Sequence, residues 1–329
     1  MVKLKDIAAK TGITVASVSK ALNDSPEISE STIQLVKMTA YEMGYRPKKS
    51  LHISKSIGVI LPEVRSHYYA ELMHSLSNEI NKYGYSMVTM LSDFSAKGIV
   101  DAYEKLLPYN NKGLFISGSN FIDEQMCKCI LEEGIPTVLF TEYNLPYPLD
   151  SIFVKTDSVM RLAVEHLTQL GHKKIGYIGE FNSDVRYNAL CDVLRQNSIE
   201  IIPKFIKRGK ERFEKGGYLR ACELLQEDER PTAVIASYDQ MAFGAMRAFH
   251  ESGIKVPEDI SIVGVDNTVM DEYLPIQITS VNSPVNQMGV IAVKLLMDNI
   301  KNPSAHVVQN VALQSKLVVR GSTRSLKEK

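Results

Sequence analysis

From Ile57 onward the chain alternates short, continuously apolar runs with amphipathic helical stretches, and it does so in two successive series. IGVILP is followed by a predicted helix from Tyr68 to Tyr83, YSMVTML by one near Ala96 to Leu107, and GLFISG by one near Asp123 to Glu133, before PTVLF. After SIFV come a helix from Ser158 to Leu170, KIGYIG, a helix from Asp184 to Gln196, EIIPKFI, a helix from Arg212 to Gln226, TAVIAS, a helix from Asp239 to Ser252, and ISIVGV. Apolar runs without alternation read as strands covered on both faces, and strands joined through helices pair in parallel. The class predicted is therefore α/β: doubly wound parallel sheets in two lobes. A hydrophobic share of 44% over 329 residues can fill both cores.

Ligands of open parallel sheets gather outside the carboxyl ends of the strands. Applied here, that rule selects Glu63, Ser117, Ser119, Thr141, Glu142, Ser183, Arg186, Tyr238, Asp239 and Asp266, with Tyr68, Tyr69 and Phe181 as nearby rings. A guanidinium facing carboxylates grips hydroxyls, and aromatic faces cover apolar ring edges, so the set suits a small polyol. Asp239 and Ser183 each open a helix, where a capping role stands beside the ligand role.

Ahead of this body, residues 1–47 read as a small all-α head. Lys3 to Gly12 form a short amphipathic helix, Ile13 and Thr14 a turn, VASVSKALN a second helix from Val15, and Glu30 to Met43 a third. Leu4, Ile7, Ala8, Val18 and Leu22 recur at helical spacing and must be buried against one another. Thr14 and Ser29 are placed to cap the second and third helices. With that stripe inward, Val15, Ala16, Ser19 and Lys20 face outward, as a helix entering a DNA major groove requires. The chain is neutral overall, yet residues 1–56 hold nine basic against five acidic side chains, leaving the head +4 and the rest −4. The head is the pole for phosphate; a helical cap with an ordinary solvated basic face is the competing reading.

MVKLKDIAAK lacks a signal-peptide core and no stretch has membrane-span length, so a cytoplasmic protein without membrane contact is expected. Cys127, Cys129, Cys191 and Cys222 are too scattered for a disulfide framework, and Cys127 and Cys129 point to different faces of one helix. No nucleophile elbow, zinc pair, P-loop or dinucleotide glycine motif follows a strand, and His172 reads as a turn residue. Catalysis, a cofactor and a metal site are not expected.

The head KLKDIAAKTGITVASVSKALNDSPEIS, the Gly-Tyr-Arg-Pro ending at Pro47, IGVILP, EHLTQLGHKKIGYIG, SYDQMAFGAMRAF, VPEDISIVGVDN and KLVVRGS follow in order over almost the whole chain. Together they resemble the lactose-repressor/galactose-repressor family of bacterial transcription regulators. The resemblance implies a helix-turn-helix head (1–47) and a two-lobed, periplasmic-binding-protein-like body (57–329). Lobe 1 would span about 57–153 and 284–314, and lobe 2 about 154–283 and 315–329. It also implies a homodimeric repressor on pseudo-palindromic operator DNA, controlled by a small effector, usually a sugar or nucleobase.

By position, Val15, Ala16 and Lys20 match base-reading residues, with lysine where arginine is more usual, a point donor without the planar fork. Lys5, Thr14, Ser17, Ser19, Asn23, Ser29, Tyr45, Arg46 and Lys48 complete the DNA-binding set. Tyr68 and Tyr69 match the cleft aromatics, and Arg186 and Asp266 the effector-gripping pair. Tyr238 replaces an asparagine frequent beside the aspartate at Asp239, and Ser117 and Thr141 complete the effector set.

The linker at 48–56 departs from the family. KKSLHISKS lacks the alanine-x-x-leucine spacing of a hinge helix, so a reduced or absent hinge and a weak operator bend are expected, with Leu51 or Ile53 as substitute wedges. Leu72, Met73, Leu76 and Ile80 form a stripe that reads either as core or as a dimer contact. No heptad tail follows Arg320, so a tetramer is not expected. Two other classes share the body's features: a sugar-binding transport component, and a regulator whose effector is a partner protein or a non-sugar metabolite.

Overall fold

The structure, a computed structural model, describes residues 2–22, 25–45, 55–118, 122, 124–142, 146–181 and 184–327, with Tyr41 described in its backbone alone. Met1–Ile53 and Ser54–Lys329 are two separate compact units.

In the head, α1 (Leu4–Thr11), α2 (Val15–Leu22) and α3 (Glu30–Glu42) enclose a core of Ile7, Ala8, Val18, Ala21, Val36 and Ala40. Gly12 ends α1 because it takes the left-handed conformation, φ +70°, while its N–H donates to the Ala8 carbonyl at 3.0 Å. Both expected caps form. The Thr14 hydroxyl accepts the Ser17 N–H at 3.1 Å, and the Ser29 hydroxyl accepts the Thr32 N–H at 3.4 Å. Each satisfies an amide that the first helical turn leaves without a partner.

The body runs β1 (Ser56–Leu61), α4 (His67–Lys82), β2 (Ser86–Leu91), α5 (Ala96–Leu106), β3 (Leu114–Ser117), α6 (Glu124–Glu133), β4 (Thr137–Thr141) and β5 (Asp150–Val154). It continues α7 (Thr156–Gln169), β6 (Ile175–Glu180), α8 (Asp184–Gln196), β7 (Ile206–Gly209), α9 (Phe213–Leu225), β8 (Ala233–Ala236), α10 (Asp239–Glu251) and β9 (Ser261–Asp266). Last come β10 (Thr279–Asn282), α11 (Val285–Lys301), β11 (Asn310–Leu313) and β12 (Leu317–Val318).

Two sheets result, ordered β11-β5-β4-β3-β1-β2 and β12-β10-β9-β8-β6-β7. Among the described residues every pairing is parallel except β10 with β12. In each sheet the order reverses beside the first strand, between β1 and β3 and between β6 and β8. Those are the switch points where doubly wound folds open a crevice. Sheet membership shows that the chain passes between the sheets after β5, after β10 and after β11.

Each sheet is buried on both faces. Ile57, Val59 and Leu61 pack toward α4 and α11, and Ile60 toward α5 and α6. The second sheet lies between α9 with α10 on one face and α7 with α8 on the other.

Three sequence expectations change here, and one that stood between two readings is decided. EIIPKFI is not a single strand: Pro203 lacks an N–H and opens a short 3-10 turn through Phe205, so β7 begins only at Ile206. β2 is half-exposed along its length because it is a sheet edge. The stripe on α4 belongs to the core, since Leu72, Leu76 and Ile80 are each 0% exposed and Met73 packs on the same cluster. His172 is not a simple turn residue: its buried ring pairs with the Thr232 hydroxyl at 2.9 Å and the Arg324 carbonyl at 3.0 Å, pinning the C-terminal segment to the second sheet. Cys127 is buried and Cys129 exposed, as their spacing on α6 requires.

Candidate functional site

Two surfaces carry chemistry. On the head, Lys5, Thr14, Val15, Ala16, Lys20 and Ser29 are exposed, and Ser17 and Ser19 are half-buried. Val15 keeps 46% of its surface in solvent although it opens a helix whose opposite face is core. Its methyls and those of Ala16 are thus presented outward, with the Lys20 ammonium one turn on. That ammonium is paired with Glu27, an exposed ion pair. Tyr45 packs partly on the head core. Asn23, Arg46, Lys48, the possible wedges Leu51 and Ile53, and the question of a hinge helix lie outside the described residues.

The second surface is a cavity at the carboxyl ends of the two body sheets. Tyr68, Tyr69, Ser117, Thr141, Arg186, Tyr238 and Asp266, the whole effector set read from the sequence, line it together with Glu142. The strands explain the convergence. Ser117 and Thr141 terminate β3 and β4, Asp266 terminates β9, Tyr238 follows β8, and Arg186 stands in the first turn of α8 after β6.

Arg186 organises one end. Its Nη1 donates to the Ser237 carbonyl at 2.5 Å, Nη2 stands 3.9 Å from Asp266 Oδ1, and Nε stands 3.9 Å from Glu142 Oε1. Burial opposes the charge, but Asp266 and Glu142 outweigh burial and raise the guanidinium above its ordinary value, so it is a fixed cation. Tyr68 and Tyr69 meet edge to face with centroids 5.1 Å apart, and burial raises both phenols. Asp266 and the next residue, Asn267, take φ +102° and +54°, and the Ser283 hydroxyl donates to the Asp266 carboxylate at 2.8 Å.

At the other end Arg212 Nε donates to Glu180 Oε2 at 2.7 Å, and the Tyr238 hydroxyl accepts the Phe213 N–H at 2.9 Å. Among the described residues the charged lining is Glu142, Glu180 and Asp266 against Arg186 and Arg212, a surplus of one negative charge. Such a lining disfavours an anion and suits a neutral, hydroxyl-rich ligand with apolar ring faces.

Residues 3–48 match the family described as "Bacterial regulatory proteins, lacI family", and residues 164–323 match "Periplasmic binding protein-like domain". The HTH-type transcriptional repressor PurR of Haemophilus influenzae is 28% identical over 338 residues, covering 99% of this chain and 100% of the relative. The lac repressor dimer bound to operator and the anti-inducer ONPF superposes with a TM-score of 0.78 at 25% identity, over 98% of this chain and 99% of that one. The chain belongs to the lactose-repressor/galactose-repressor family. A LacI family transcriptional regulator from Enterococcus faecium with bound ribose is 25% identical with a TM-score of 0.74, over 83% of this chain and 100% of that one. As a member of the lactose-repressor/galactose-repressor family, the protein is a DNA-binding, effector-responsive transcription regulator and not an enzyme.

Several strand-exit candidates do other work in this family member. Glu63 accepts the N–H groups of Arg65 and Ser66, and the Ser66 hydroxyl caps α4. Asp239 neither caps α10 nor lines the cavity. Its carboxylate, 0% exposed, accepts the Thr268 N–H at 3.0 Å and the Ser280 hydroxyl at 2.7 Å. Phe181 is 50% exposed and lies under Arg208. Ser119 and Ser183 fall outside the described residues.

The cavity also holds Phe94, Glu180 and Arg212, which the sequence reading missed. The exit rule itself reaches them. Glu180 ends β6 and Phe94 follows β2, while Arg212 was hidden because the strand before it was placed too early, at EIIPKFI.

Proposed function

We propose that the protein is a homodimeric cytoplasmic repressor whose effector is a neutral sugar or sugar derivative held between the two body sheets. The head binds operator DNA through the outer face of α2, with Val15 and Ala16 against thymine methyls and Lys20 as a donor to guanine or phosphate. The observation that carries the effector reading is the Arg186–Asp266 pair. At 3.9 Å it is wider than a hydrogen bond. A sugar hydroxyl there can accept from the guanidinium and donate to the carboxylate, and Tyr68 and Tyr69 supply apolar faces beside it. The relative with bound ribose and the lac repressor dimer bound to operator and ONPF support the same assignment.

Occupancy then alters operator affinity through the difference in effector affinity between two lobe arrangements, typically ~1 to 3 kcal/mol. The test is calorimetry of the full chain against neutral mono- and disaccharides, with their phosphate esters as the anionic arm. Binding of a neutral sugar, lost by about 100-fold or more in Arg186→Ala, is expected. Binding confined to the phosphate esters, or no binding across the panel, overturns the sugar assignment.

A further inference from the structure

Two arginine–aromatic contacts join the sheets at the Phe94 end of the cavity, and they are reciprocal. Phe94, after β2, carries the guanidinium of Arg212, after β7, at 3.9 Å from its ring centroid. Phe213, the first residue of α9, carries the guanidinium of Arg65, which precedes α4, at 5.0 Å. Each side of the cleft therefore contributes one cation and one ring. Beside them the His67 N–H points at Gln240 Oε1 across the same gap, 3.4 Å away.

Backbone geometry marks the arrangement as built. Phe94 has φ +50° and Phe213 φ +58°, in the left-handed region that bulky side chains avoid. Both rings of the reciprocal pair are thus held in a costly conformation that surrounding structure must impose, the pattern of switch regions and ligand clamps. Arg212 is further oriented by its bond to Glu180, which keeps the guanidinium plane over Phe94.

We propose that Arg212–Phe94 and Arg65–Phe213 form a clasp that holds the two lobes closed at this end of the cleft and so sets the opening equilibrium on which the effector acts. Phe94 and Arg212 line the cavity. A ligand seated there touches the clasp, and ligand chemistry is converted into lobe closure at these side chains. That consequence rests on the cleft being the effector site, whereas the clasp itself does not.

The test is hydrogen–deuterium exchange of the ligand-free full chain, compared between wild type, Phe94→Leu, Arg212→Lys and the double variant. Leucine keeps an apolar side chain and lysine keeps a cation for Glu180, so each removes the face-on contact together with one contact inside its own lobe, Phe94 against Tyr69 and Arg212 over Phe213. Peptides covering 63–70 and 211–218 are expected to exchange roughly 3- to 30-fold faster in each single variant, the range that a cation–π contact supports. Because the two singles share the Arg212–Phe94 contact, the double variant is expected to fall short of their combined effect. Unchanged rates in both peptides, additive effects in the double variant, or an equal rise in the α11 peptide 285–301 overturn the clasp. Because no ligand is present, failure here leaves the sugar assignment standing, and failure of the sugar panel leaves the clasp standing.

Discussion

The Asp239 carboxylate holds the backbone N–H of Thr268 at 3.0 Å, two residues beyond Asp266. Asp239 thereby anchors the left-handed turn at Asp266 and Asn267 from beneath, and its second oxygen takes the Ser280 hydroxyl, which in turn accepts the Asn267 N–H at 3.0 Å. Replacing it with alanine strands a buried amide and a buried hydroxyl. We expect Asp239→Ala to lose about 1–3 kcal/mol of stability and to speed exchange across residues 266–272, both measured on the full chain at pH 5. A variant with wild-type stability and protection would show that the turn holds itself.

Asp239 does not stand alone. Desolvation and the neighbouring Asp271 raise its carboxyl well above the ordinary range, and Asp271 is itself pushed up to about 6 by burial, against the opposing pull of Arg320. A carboxyl whose folded value exceeds its unfolded value favours the fold while protonated. Its contribution is fully present below about pH 4 and is lost as pH rises through about 6. Wild type minus Asp271→Asn stability is therefore expected to fall by about 1–3 kcal/mol between pH 4 and pH 7. Parallel pH profiles from denaturant titration would refute the assignment.

How much was legible in advance follows from what each signal depends on. The sheets were readable because parallel strands buried on both faces leave uninterrupted apolar runs, and their exits then located Arg186 and Asp266 without any coordinates. Pro203 defeated the same reading at β7, shifting the exit and hiding Arg212. The fate of the α4 stripe was not legible, because one helical face of Leu72, Leu76 and Ile80 looks the same in sequence whether it meets a core or a partner. Asp239 was undecidable for a related reason: an aspartate at a helix start caps, binds or braces according to what lies across from it, here Thr268 and Ser280 from distant segments.

α9 and α10 pack with glycine at the contact on both helices. A Cβ on Gly217 would lie 1.9 Å from the Met241 carbonyl oxygen, and one on Gly244 would lie 1.8 Å from that of Glu214. The obstacle is helix backbone, which cannot rotate away. Gly244→Ala is expected to cost about 2–4 kcal/mol despite alanine's better helix propensity, read as a drop in melting temperature. A neutral or stabilising effect would mean that the helices separate without loss of the core beneath them.

The Lys20–Glu27 pair makes a separate prediction for the head. Both side chains are more than half exposed, at 51% and 66%, so the pair adds little to stability. It does hold a carboxylate beside the cation proposed above as a DNA contact. Glu27→Gln removes that repulsion from phosphate and releases the ammonium, and is expected to tighten binding to all duplexes by about 3- to 10-fold at low salt, the gain shrinking as salt rises. Lys20→Ala should act differently if Lys20 reads a base: the loss should be larger on DNA fragments selected by the protein from its own genome than on scrambled duplex, narrowing the gap by roughly 5- to 100-fold. Competition titrations at two salt concentrations separate the two cases. Equal losses on both duplexes would reduce Lys20 to a phosphate contact and leave Val15 and Ala16 as the side chains on this face that distinguish one sequence from another.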